Sequence, residues 1–247
     1  MSLPTIAVVL AAGKGTRMRS PLPKVLHRAA GRSLLDWVIA AARAVPCDRI
    51  VVVYGHGASA VRQSFAGARD LEWAIQAEQH GTGHALAQAE SAIRGAARLL
   101  VLSGDVPLLR PPTLRRLLEE ASRAWGALAV AELADPGELG RVVAGDGGGL
   151  ERIIEARDAA PDQLRHRTVN AGLYALPAPA VFGYLRRVRP DNTQHEIYLP
   201  DALNLAAADG LDLRCVPLED PSEAWGVNTP EHLEQVDAVL RARGPAV

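Results

Sequence analysis

The chain is predicted to fold as an α/β protein, with a Rossmann-like, mixed but mostly parallel sheet flanked by helices. Short apolar, β-branched runs alternate along the chain with amphipathic stretches of helical length. Such alternation is typical of βαβ units, in which helices cover both faces of a sheet. One segment, 135–167, breaks the pattern because it is rich in glycine and charge, and it predicts a small β insertion.

Seven strands and seven helices are predicted in chain order. The strands are Ile6–Leu10, Ile50–Tyr54, Leu71–Gln76, Leu99–Ser103, Ala127–Leu133, Val169–Leu176 and Leu213–Leu218. The first six helices are Leu34–Arg43, Ala58–Phe65, Gly83–Ile93, Thr113–Arg123, Ala178–Arg187 and Leu199–Ala208. The glycines of AGDGGGLE predict a hairpin between Arg141–Ala144 and Leu150–Glu155. A last helix, Pro230–Arg243, follows Thr229, which is a suitable N-cap before a proline.

Composition excludes several classes of function. The chain has 27 basic and 28 acidic residues and a net charge of −1, which is no electrostatic footprint for nucleic acid or an anionic membrane. Its apolar runs are too short to span a bilayer. The opening MSLPTIAVVL lacks the basic region of a signal peptide, and the two cysteines lie far apart. We therefore expect a cytoplasmic protein.

The loop after the first strand reads LAAGKGTRMRSPLPKVL and predicts an anion site. It contains no acid, and it holds Lys14 and Lys24, the only two lysines of the chain. Glycines let backbone N–H groups form anion-binding nests, and Arg17 can clamp phosphate oxygens with two hydrogen bonds. Met18 replaces the last glycine of a dinucleotide fingerprint, and the Walker A pattern is absent. The sequence therefore predicts a phosphate loop of another kind.

Polar residues also follow or lie within several other predicted strands. They are Gln76, the pair Gly104-Asp105, and Asn170. Ligands of such sheets bind at the carboxyl ends of the strands, so we expect these residues to converge. Asp105 is a candidate Mg²⁺ ligand with Asn228 as its partner, because Mg²⁺ needs few protein oxygens beside phosphates and water. Asp105 as a capping or turn residue, and Asn228 as a helix-entry turn residue, remain open alternatives.

Nine segments, in order, resemble one enzyme family over almost the whole chain. They are LAAGKGTRMRSPLPKVLHRAAGRSLLDWVI, VVVYGHG, IQAEQHGTGHALAQA, LSGDVPLL, LGRVV, IIEARDA, VNAGLYA, EIYLPDAL and GVNTPEHL. The family is the uridyltransferase domain of bifunctional N-acetylglucosamine-1-phosphate uridyltransferase/glucosamine-1-phosphate acetyltransferase. It belongs to the sugar-phosphate nucleotidyltransferases, which have the nucleotide-diphospho-sugar transferase fold. The resemblance implies Mg²⁺-dependent uridylyl transfer from UTP to N-acetylglucosamine-1-phosphate, giving pyrophosphate and UDP-N-acetylglucosamine, a cell-wall precursor.

The resemblance also implies a role for each matching residue. Three are implied to be catalytic: Arg17 and Lys24, which hold the phosphates, and Asp105, which holds Mg²⁺ with Asn228. The uridine and its phosphates are implied to contact Ala11, Ala12, Gly13, Lys14, Gln76, Gly81 and Thr82, with Gln76 reading the uracil. The sugar is implied to contact Gly140, Glu155 and Asn170, and the substrate-binding set is completed by Ser103, Gly104 and Tyr198.

Three positions depart from the family pattern on the sugar side. Ser103 stands where the family often has tyrosine, and Leu139 where a tyrosine commonly precedes the Gly-Arg pair. Pro200 stands where a threonine is usual. Nucleotidyl transfer to another hexose-1-phosphate is therefore kept as an alternative. A second alternative, a non-catalytic sugar-nucleotide-binding regulatory module, is disfavoured because Lys24 and Asp105 are both present.

The expected organisation is one nucleotidyltransferase domain at 1–229, with 135–167 as an insertion on the sugar side. Residues 230–247 are expected to form a C-terminal helix or linker. The hexapeptide repeats that build the family's acetyltransferase β-helix are absent from the sequence. Because trimer formation in the family rests largely on that β-helix, we expect a monomer or weak dimer without acetyltransferase activity.

Overall fold

The computed structural model describes residues 3–55 and 57–244. Its strands are β1 (Thr5–Ala11), β2 (Arg28–Ala29), β3 (Arg32–Ser33), β4 (Arg49–Tyr54), β5 (Leu71–Ile75), β6 (Ala97–Ser103), β7 (Gly126–Glu132), β8 (Arg141–Ala144), β9 (Leu150–Ile154), β10 (Thr168–Ala178) and β11 (Leu213–Pro217). Its α-helices are α1 (Leu34–Arg43), α2 (Ala58–Ser64), α3 (Thr82–Gln88), α4 (Pro111–Arg123), α5 (Ala180–Leu185), α6 (Leu199–Ala208) and α7 (Pro230–Arg243). The expected segment 1–229 begins, and the expected segment 230–247 ends, in residues outside these ranges.

The main sheet runs in the order β11-β7-β10-β6-β1-β4-β5, with the β8–β9 hairpin attached to β10. β1 pairs in parallel with both β4 and β6, and β4 and β7 pair in parallel with β5 and β11. β10 is antiparallel to its neighbours β6 and β7. The predicted mixed, mostly parallel sheet is confirmed. Because β10 runs against its neighbours, its first residues lie at the edge where the parallel strands end.

Helices cover both faces of this sheet, as predicted. β1 is buried on both sides, so Ala7 and Val9 belong to one apolar cluster and Ile6 and Val8 to the other. The first cluster includes residues of α1 and α4, and the second includes residues of α3, α5 and α6. Such a continuous apolar run is the expected sequence of a strand covered on both faces. A third cluster packs α7 against α1 and the β2–β3 hairpin.

Apart from shifts of one or two residues at helix ends, the observed helices differ from the predicted ones at two places. The predicted helix Gly83–Ile93 is divided into α3 and a 3-10 turn at Glu90–Ala92, because the amide of Ala89 bonds the carbonyl of Leu86 three residues back. The predicted helix Ala178–Arg187 is shorter, since β10 continues to Ala178. In both cases the apolar pattern indicates burial but does not separate a helix from the turn or strand beside it.

Two further features bear on how the chain is classified. Among residues 3–55 and 57–244, none of the helices combines the length and the apolar character needed to cross a bilayer. Cys47 and Cys215 are both free thiols, and burial raises the pKa of each to about 11. Neither cysteine is therefore a thiolate near neutral pH.

A buried carboxylate ties the segment before α7 to the segment after β6. Glu223 is 0 % exposed, and its two oxygens accept hydrogen bonds from the Arg110 amide at 2.9 Å and the Thr113 hydroxyl at 2.8 Å. Arg110 is the N-cap residue of α4, whose first two helical residues are prolines. The two prolines have no amide hydrogen, so Glu223 accepts hydrogen bonds from the groups on either side of them. It thereby holds residues 221–224 against the start of α4.

Removal of this carboxylate should destabilise the fold. Glu223→Ala leaves the buried Thr113 hydroxyl and the Arg110 amide without this partner, so we expect the free energy of unfolding to fall by about 2 kcal/mol or more. Urea denaturation measures this change. Glu219→Ala is the matched control, because Glu219 is exposed and its ion pair with Arg116 is long at 3.7 Å; its effect should stay within about 0.5 kcal/mol. Equal effects of the two variants would contradict the assignment.

Candidate active site

Two adjoining cavities lie where the parallel strands end. The smaller, of about 460 Å³, is lined mainly by the loop after β1 and by the loop before α3. The larger, of about 720 Å³, is lined mainly by the segment after β7, the end of the β8–β9 hairpin and the start of α7. Four residues line both cavities: Arg17, Arg157, Glu196 and Asn228. A ligand occupying both cavities would therefore lie beside these four side chains, two of which are guanidinium groups.

The loop after β1 folds back on itself through Gly15. This glycine has φ of 62°, in the left-handed region, and it precedes a 3-10 turn at Thr16–Met18. A Cβ atom at position 15 would lie 2.5 Å from the Cβ of Lys24. Pro23 then leads into a second 3-10 turn that starts at Lys24. Only glycine allows both this backbone conformation and the close approach of the two ends of the loop.

The ammonium of Lys24 lies between two oxygens from distant parts of the chain. Its Nζ atom forms an ion pair with Asp105 and donates a hydrogen bond to Asn228 Oδ1 at 2.9 Å. The Lys24 and Asp105 side chains are 12 % and 20 % exposed. Asp105 follows β6, and Asn228 is brought alongside it by a hydrogen bond from the Val227 amide to the Asp105 carbonyl at 2.9 Å. The predicted residues Lys24, Asp105 and Asn228 are thus in one place.

The Asp105 and Asn228 oxygens fit a hard divalent cation. Both are oxygen donors, both reach the cavity, and both already converge on one cationic atom, the Lys24 ammonium nitrogen. Across the described part of the chain, no group of three or more His, Cys, Asp or Glu residues could hold a metal ion. A cation here would therefore take most of its ligands from a bound phosphate and from water, as Mg²⁺ commonly does.

Arg17 forms an ion pair with Glu138 in the segment that follows β7. The pair crosses from the loop after β1 to the wall of the larger cavity. Both side chains are about half exposed or more, so the pair contributes little to stability. Arg17 is therefore available to exchange Glu138 for a phosphate at little energetic cost.

Part of the wall of the smaller cavity is built around Gln76. Its side chain is 3 % exposed, and its Nε2 atom lies 3.1 Å from the Gly81 carbonyl oxygen and 3.0 Å from His84 Nδ1. Gln79 donates a hydrogen bond from Nε2 to the Gln76 carbonyl at 3.1 Å. Thr82 begins α3, and its hydroxyl accepts a hydrogen bond from the Leu199 amide at 3.0 Å. These contacts give this end of the cavity a fixed polar wall.

Titratable groups in the larger cavity have shifted pKa values. Burial, reinforced by the nearby charges of Asp201 and Asp158, raises the pKa of Glu155 to about 7. Burial and the charge of Glu196 raise the pKa of Tyr198 to about 12. Glu155 therefore changes charge near neutral pH, while the Tyr198 hydroxyl stays protonated. A carboxyl and a phenol at one wall offer hydrogen bonds to a hydroxyl-rich ligand.

Most of the residues predicted for the site line one of the two cavities. The smaller cavity includes Ala11, Ala12, Gly13, Lys14, Arg17, Lys24, Gln76, Gly81, Thr82, Ser103, Asp105 and Asn228. Glu155 and Tyr198 line the larger one. Neither cavity is lined by Gly104, Gly140 or Asn170, which are bonded to residues next to or within the cavity walls. The Asn170 backbone amide donates to the Gly140 carbonyl at 2.8 Å, and the Gly104 amide donates to the Leu10 carbonyl at 2.8 Å.

Asn170 contacts protein groups with both ends of its side chain. Its Nδ2 atom donates to the Tyr174 hydroxyl at 2.7 Å, and its Oδ1 atom accepts from the Gly172 amide at 3.1 Å. The residue is 8 % exposed. In this arrangement Asn170 supports the wall near Gly140, and direct contact with a ligand would require one of these two bonds to be exchanged.

Several cavity residues were not identified from the sequence. They are Gln79, Glu138, Arg157, Glu196 and Trp225. Gln79, Arg157 and Glu196 lie inside or beside matched segments, in QAEQ, IIEARDA and HEIYL, so their position next to Gln76, Glu155 and Tyr198 was the available signal. The sequence gives no signal that Glu138 and Trp225 line a cavity. Their positions depend on how the segment after β7 and the segment before α7 cross the edge of the sheet.

Comparison with known proteins gives one family. The model of the MobA-like NTP transferase domain matches residues 7–188. Among curated relatives, the bifunctional protein GlmU of Stenotrophomonas maltophilia is 46 % identical over 243 residues, which is 98 % of this chain and 53 % of the relative. GlmU of Geobacter metallireducens is 42 % identical over 240 residues, 96 % of this chain and 50 % of the relative. The chain thus spans about half the length of these relatives.

Two solved structures share the fold. One is a UDP-glucose pyrophosphorylase complexed with UDP-glucose, with a TM-score of 0.76, 17 % identity, and coverage of 98 % of this chain and all of that one. The other is a putative glucose-1-phosphate thymidylyltransferase from Bacillus anthracis in complex with a sucrose, with a TM-score of 0.78, 17 % identity, and coverage of 98 % and 97 %. At this identity they show the fold alone.

Because Gly15 and Lys24 touch, a side chain at position 15 should weaken anion binding. Gly15→Ala places a methyl group against Lys24, and we expect affinity for inorganic triphosphate to fall by about tenfold or more. Titration calorimetry measures the affinity. Gly95→Ala is the matched control, since Gly95 also has a positive φ of 75° but has no atom within 4 Å of its added Cβ. Similar affinities for the two variants would show that Lys24 does not bind the anion.

Proposed function

The chain belongs to the MobA-like NTP transferase domain family, and on that premise we propose that it transfers a uridylyl group from UTP to N-acetylglucosamine-1-phosphate. The products are UDP-N-acetylglucosamine and pyrophosphate. One observation carries the proposal: a cavity bounded by a phosphate loop meets a second cavity across Arg17, Arg157 and Asn228. The similarity to proteins named bifunctional GlmU supports the choice of nucleotide and sugar.

The smaller cavity suits the nucleotide. Backbone amides of the loop after β1 and the Lys24 ammonium present positive charge, as a triphosphate requires. Gln76 and the Gly81-Thr82 backbone stand at the opposite end, where the base would bind. Glycine at positions 13 and 15 lets the phosphates approach the main chain closely.

The reaction needs positioning and charge stabilisation rather than a protein nucleophile. An oxygen of the sugar phosphate attacks the α-phosphorus of UTP in line, and pyrophosphate leaves on the opposite side. Lys24 and Arg17 neutralise the negative charge that gathers on the phosphates. A Mg²⁺ held by the Asp105 and Asn228 oxygens would supply further charge neutralisation. Arg17 would exchange its contact with Glu138 for this role.

The larger cavity suits the acceptor sugar, with Glu155 and Tyr198 as hydrogen-bonding groups. A second candidate acceptor, another hexose-1-phosphate, is favoured by one observation. Ser103 and Leu139 both line the cavities, and neither is an aromatic side chain that would fill space beside the sugar. The Ser103 hydroxyl is directed to the Gly172 carbonyl, 3.3 Å away, rather than to the cavity.

The organisation of the protein is part of the same proposal. We infer that residues 1–229 form the catalytic domain, that 135–167 is its sugar-side insertion, and that the protein works in the cytoplasm as a monomer or weak dimer. Light scattering tests the last statement, and a stable trimer would contradict it.

Pyrophosphate release tests the proposed reaction directly. We expect rapid release with UTP, Mg²⁺ and N-acetylglucosamine-1-phosphate, and slower release with glucose-1-phosphate or glucosamine-1-phosphate. Lys24→Met and Asp105→Asn should each lower kcat by about a hundredfold or more, because each removes charge at the reacting phosphates. Arg115→Ala, an exposed residue on α4 that bonds the Ala44 carbonyl, serves as the control. Fast release with only another sugar-1-phosphate would show that this other sugar is the acceptor. Turnover near that of the wild type in both Lys24→Met and Asp105→Asn would contradict the mechanism.

The raised pKa of Glu155 predicts how acceptor binding depends on pH. The ionised carboxylate accepts hydrogen bonds from sugar hydroxyls better than the acid does. Because its pKa is about 7, the carboxylate is lost as pH falls through that value, and KM for the sugar-1-phosphate should rise below about pH 7. Glu155→Gln is the control, since glutamine does not titrate. A wild-type profile that parallels the variant's would show that Glu155 does not bind the sugar in its charged form.

A further inference from the structure

Trp225 is an exposed aromatic residue in the wall of the larger cavity. Five large apolar residues of the described chain are exposed: Leu3, Leu22, Ile75, Leu164 and Trp225. Trp225 is 39 % exposed, and of the five it alone lines either cavity. A ligand that covers this ring removes apolar surface from water, which favours binding.

The other three tryptophans are engaged by the protein itself. Trp37 is 8 % exposed, and its indole nitrogen donates to a backbone carbonyl at 2.8 Å. Trp73 and Trp125 each pack edge-on against a tyrosine ring, with centroids 5.4 Å and 5.5 Å apart. Among residues 3–55 and 57–244, the ring of Trp225 is paired with no other aromatic ring and with no guanidinium group. The ring can therefore meet a ligand without giving up a contact of this kind.

The main chain at Trp225 is held on both sides. Its amide donates to the Ser222 carbonyl at 3.0 Å, and the Val227 amide donates to the Asp105 carbonyl at 2.9 Å. Ala224 and Val227 are 2 % and 0 % exposed, so Trp225 lies between buried residues. An exposed ring on a fixed main chain is preorganised, which lowers the entropy cost of binding a ligand.

The chemistry of a sugar ring requires an apolar contact besides hydrogen bonds. Glu155 and Tyr198, which line the same cavity as Trp225, can bond sugar hydroxyls. In a pyranose of the gluco configuration the hydroxyls point outward from the edge of the ring, and the two faces present C–H groups. Small-ligand pockets combine a few polar groups with apolar and aromatic side chains. An indole has the flat, apolar surface that covers such a face.

We propose that Trp225 is a binding residue for the acceptor, and that its indole packs against the C–H face of the pyranose ring. This inference rests on the proposed function, because it takes the ligand of the larger cavity to be a sugar-1-phosphate. The base of the nucleotide is not the group concerned, since Gln76 lines the smaller cavity and Trp225 the larger one. The acceptor is thus held by hydrogen bonds at its edge and by an aromatic ring at its face.

Tryptophan fluorescence tests the contact without turnover. Indole emission moves to shorter wavelength when the ring loses contact with water, so UDP-N-acetylglucosamine should shift the emission of the wild type. UDP alone should leave the emission unchanged, because UDP lacks the sugar. Trp225→Phe should still bind UDP-N-acetylglucosamine in a calorimetric titration but show no shift, since Trp37, Trp73 and Trp125 line neither cavity.

Kinetics test how much the ring contributes to acceptor binding. Trp225→Leu removes the aromatic face, and we expect KM for N-acetylglucosamine-1-phosphate to rise by about fivefold. KM for UTP and kcat should stay within about twofold of the wild type, because the lost contact is present equally in the bound substrate and in the transition state. Trp225→Phe should keep KM for the sugar-1-phosphate close to that of the wild type. Leu3→Ala is the matched control, since Leu3 is 50 % exposed and precedes β1, at the other end of this strand from the cavities; it should change neither KM.

Two outcomes would overturn the inference. One is an unchanged KM for the sugar-1-phosphate in Trp225→Leu; the other is the same emission spectrum with bound UDP as with bound UDP-N-acetylglucosamine. If Trp225→Leu does not fold, the spectra of the wild type and of Trp225→Phe decide. Pyrophosphate release in either of these cases would keep the proposed function without the contact. A protein that binds neither nucleotide and releases no pyrophosphate would contradict the proposed function, and the inference with it.

Discussion

The contact of the Lys24 ammonium with Asp105 and Asn228 is the interaction on which the rest of the site depends. Its partners lie 81 and 204 positions away in sequence, so the contact forms only when the whole sheet has formed. β1 delivers the loop that carries Lys24, and β6 delivers Asp105. Asn228 arrives by a different route, since Glu223 first fixes the segment before it to the start of α4. The largely enclosed pair needs each partner, because an unpaired charge at such a place is costly.

The same three groups explain how the site can accept highly charged substrates. Without ligands, the Lys24 ammonium and the Asp105 carboxylate neutralise each other. In the proposed reaction, the oxygens of Asp105 and Asn228 would hold a divalent cation, and the Lys24 ammonium would then be free to meet a phosphate. Arg17 offers a parallel exchange with Glu138. Positive charge therefore becomes available in step with the negative charge that the substrates bring.

Much of this could be predicted from the sequence, and the physical reasons are specific. The strands were predictable because β1, β4 and β6 are buried on both faces and read as unbroken apolar runs. Asp105 was predictable because it comes just after β6, and Gln76 because it comes directly after the mostly apolar edge strand β5. The orientation of β10 was not, because an apolar run has no direction. Nor was the contact of Arg17 with Glu138, which depends on the path of a turn-rich segment whose local pattern fixes no tertiary partner.

The two cavities differ in the groups that form their walls. Under the proposed function, this difference affects how easily nucleotide specificity and acceptor-sugar specificity can change. Around the smaller cavity, part of the wall is made by backbone groups and by side chains held by backbone groups, such as Gln76 against the Gly81 carbonyl. Around the larger cavity, the lining groups include separate side chains such as Leu139 and Glu155, whose pKa is raised to about 7. Such side chains can be exchanged without moving the phosphate loop. It follows that, under the proposed function, single substitutions can change the acceptor sugar more readily than the nucleotide, because a side chain is exchanged more easily than a backbone contact.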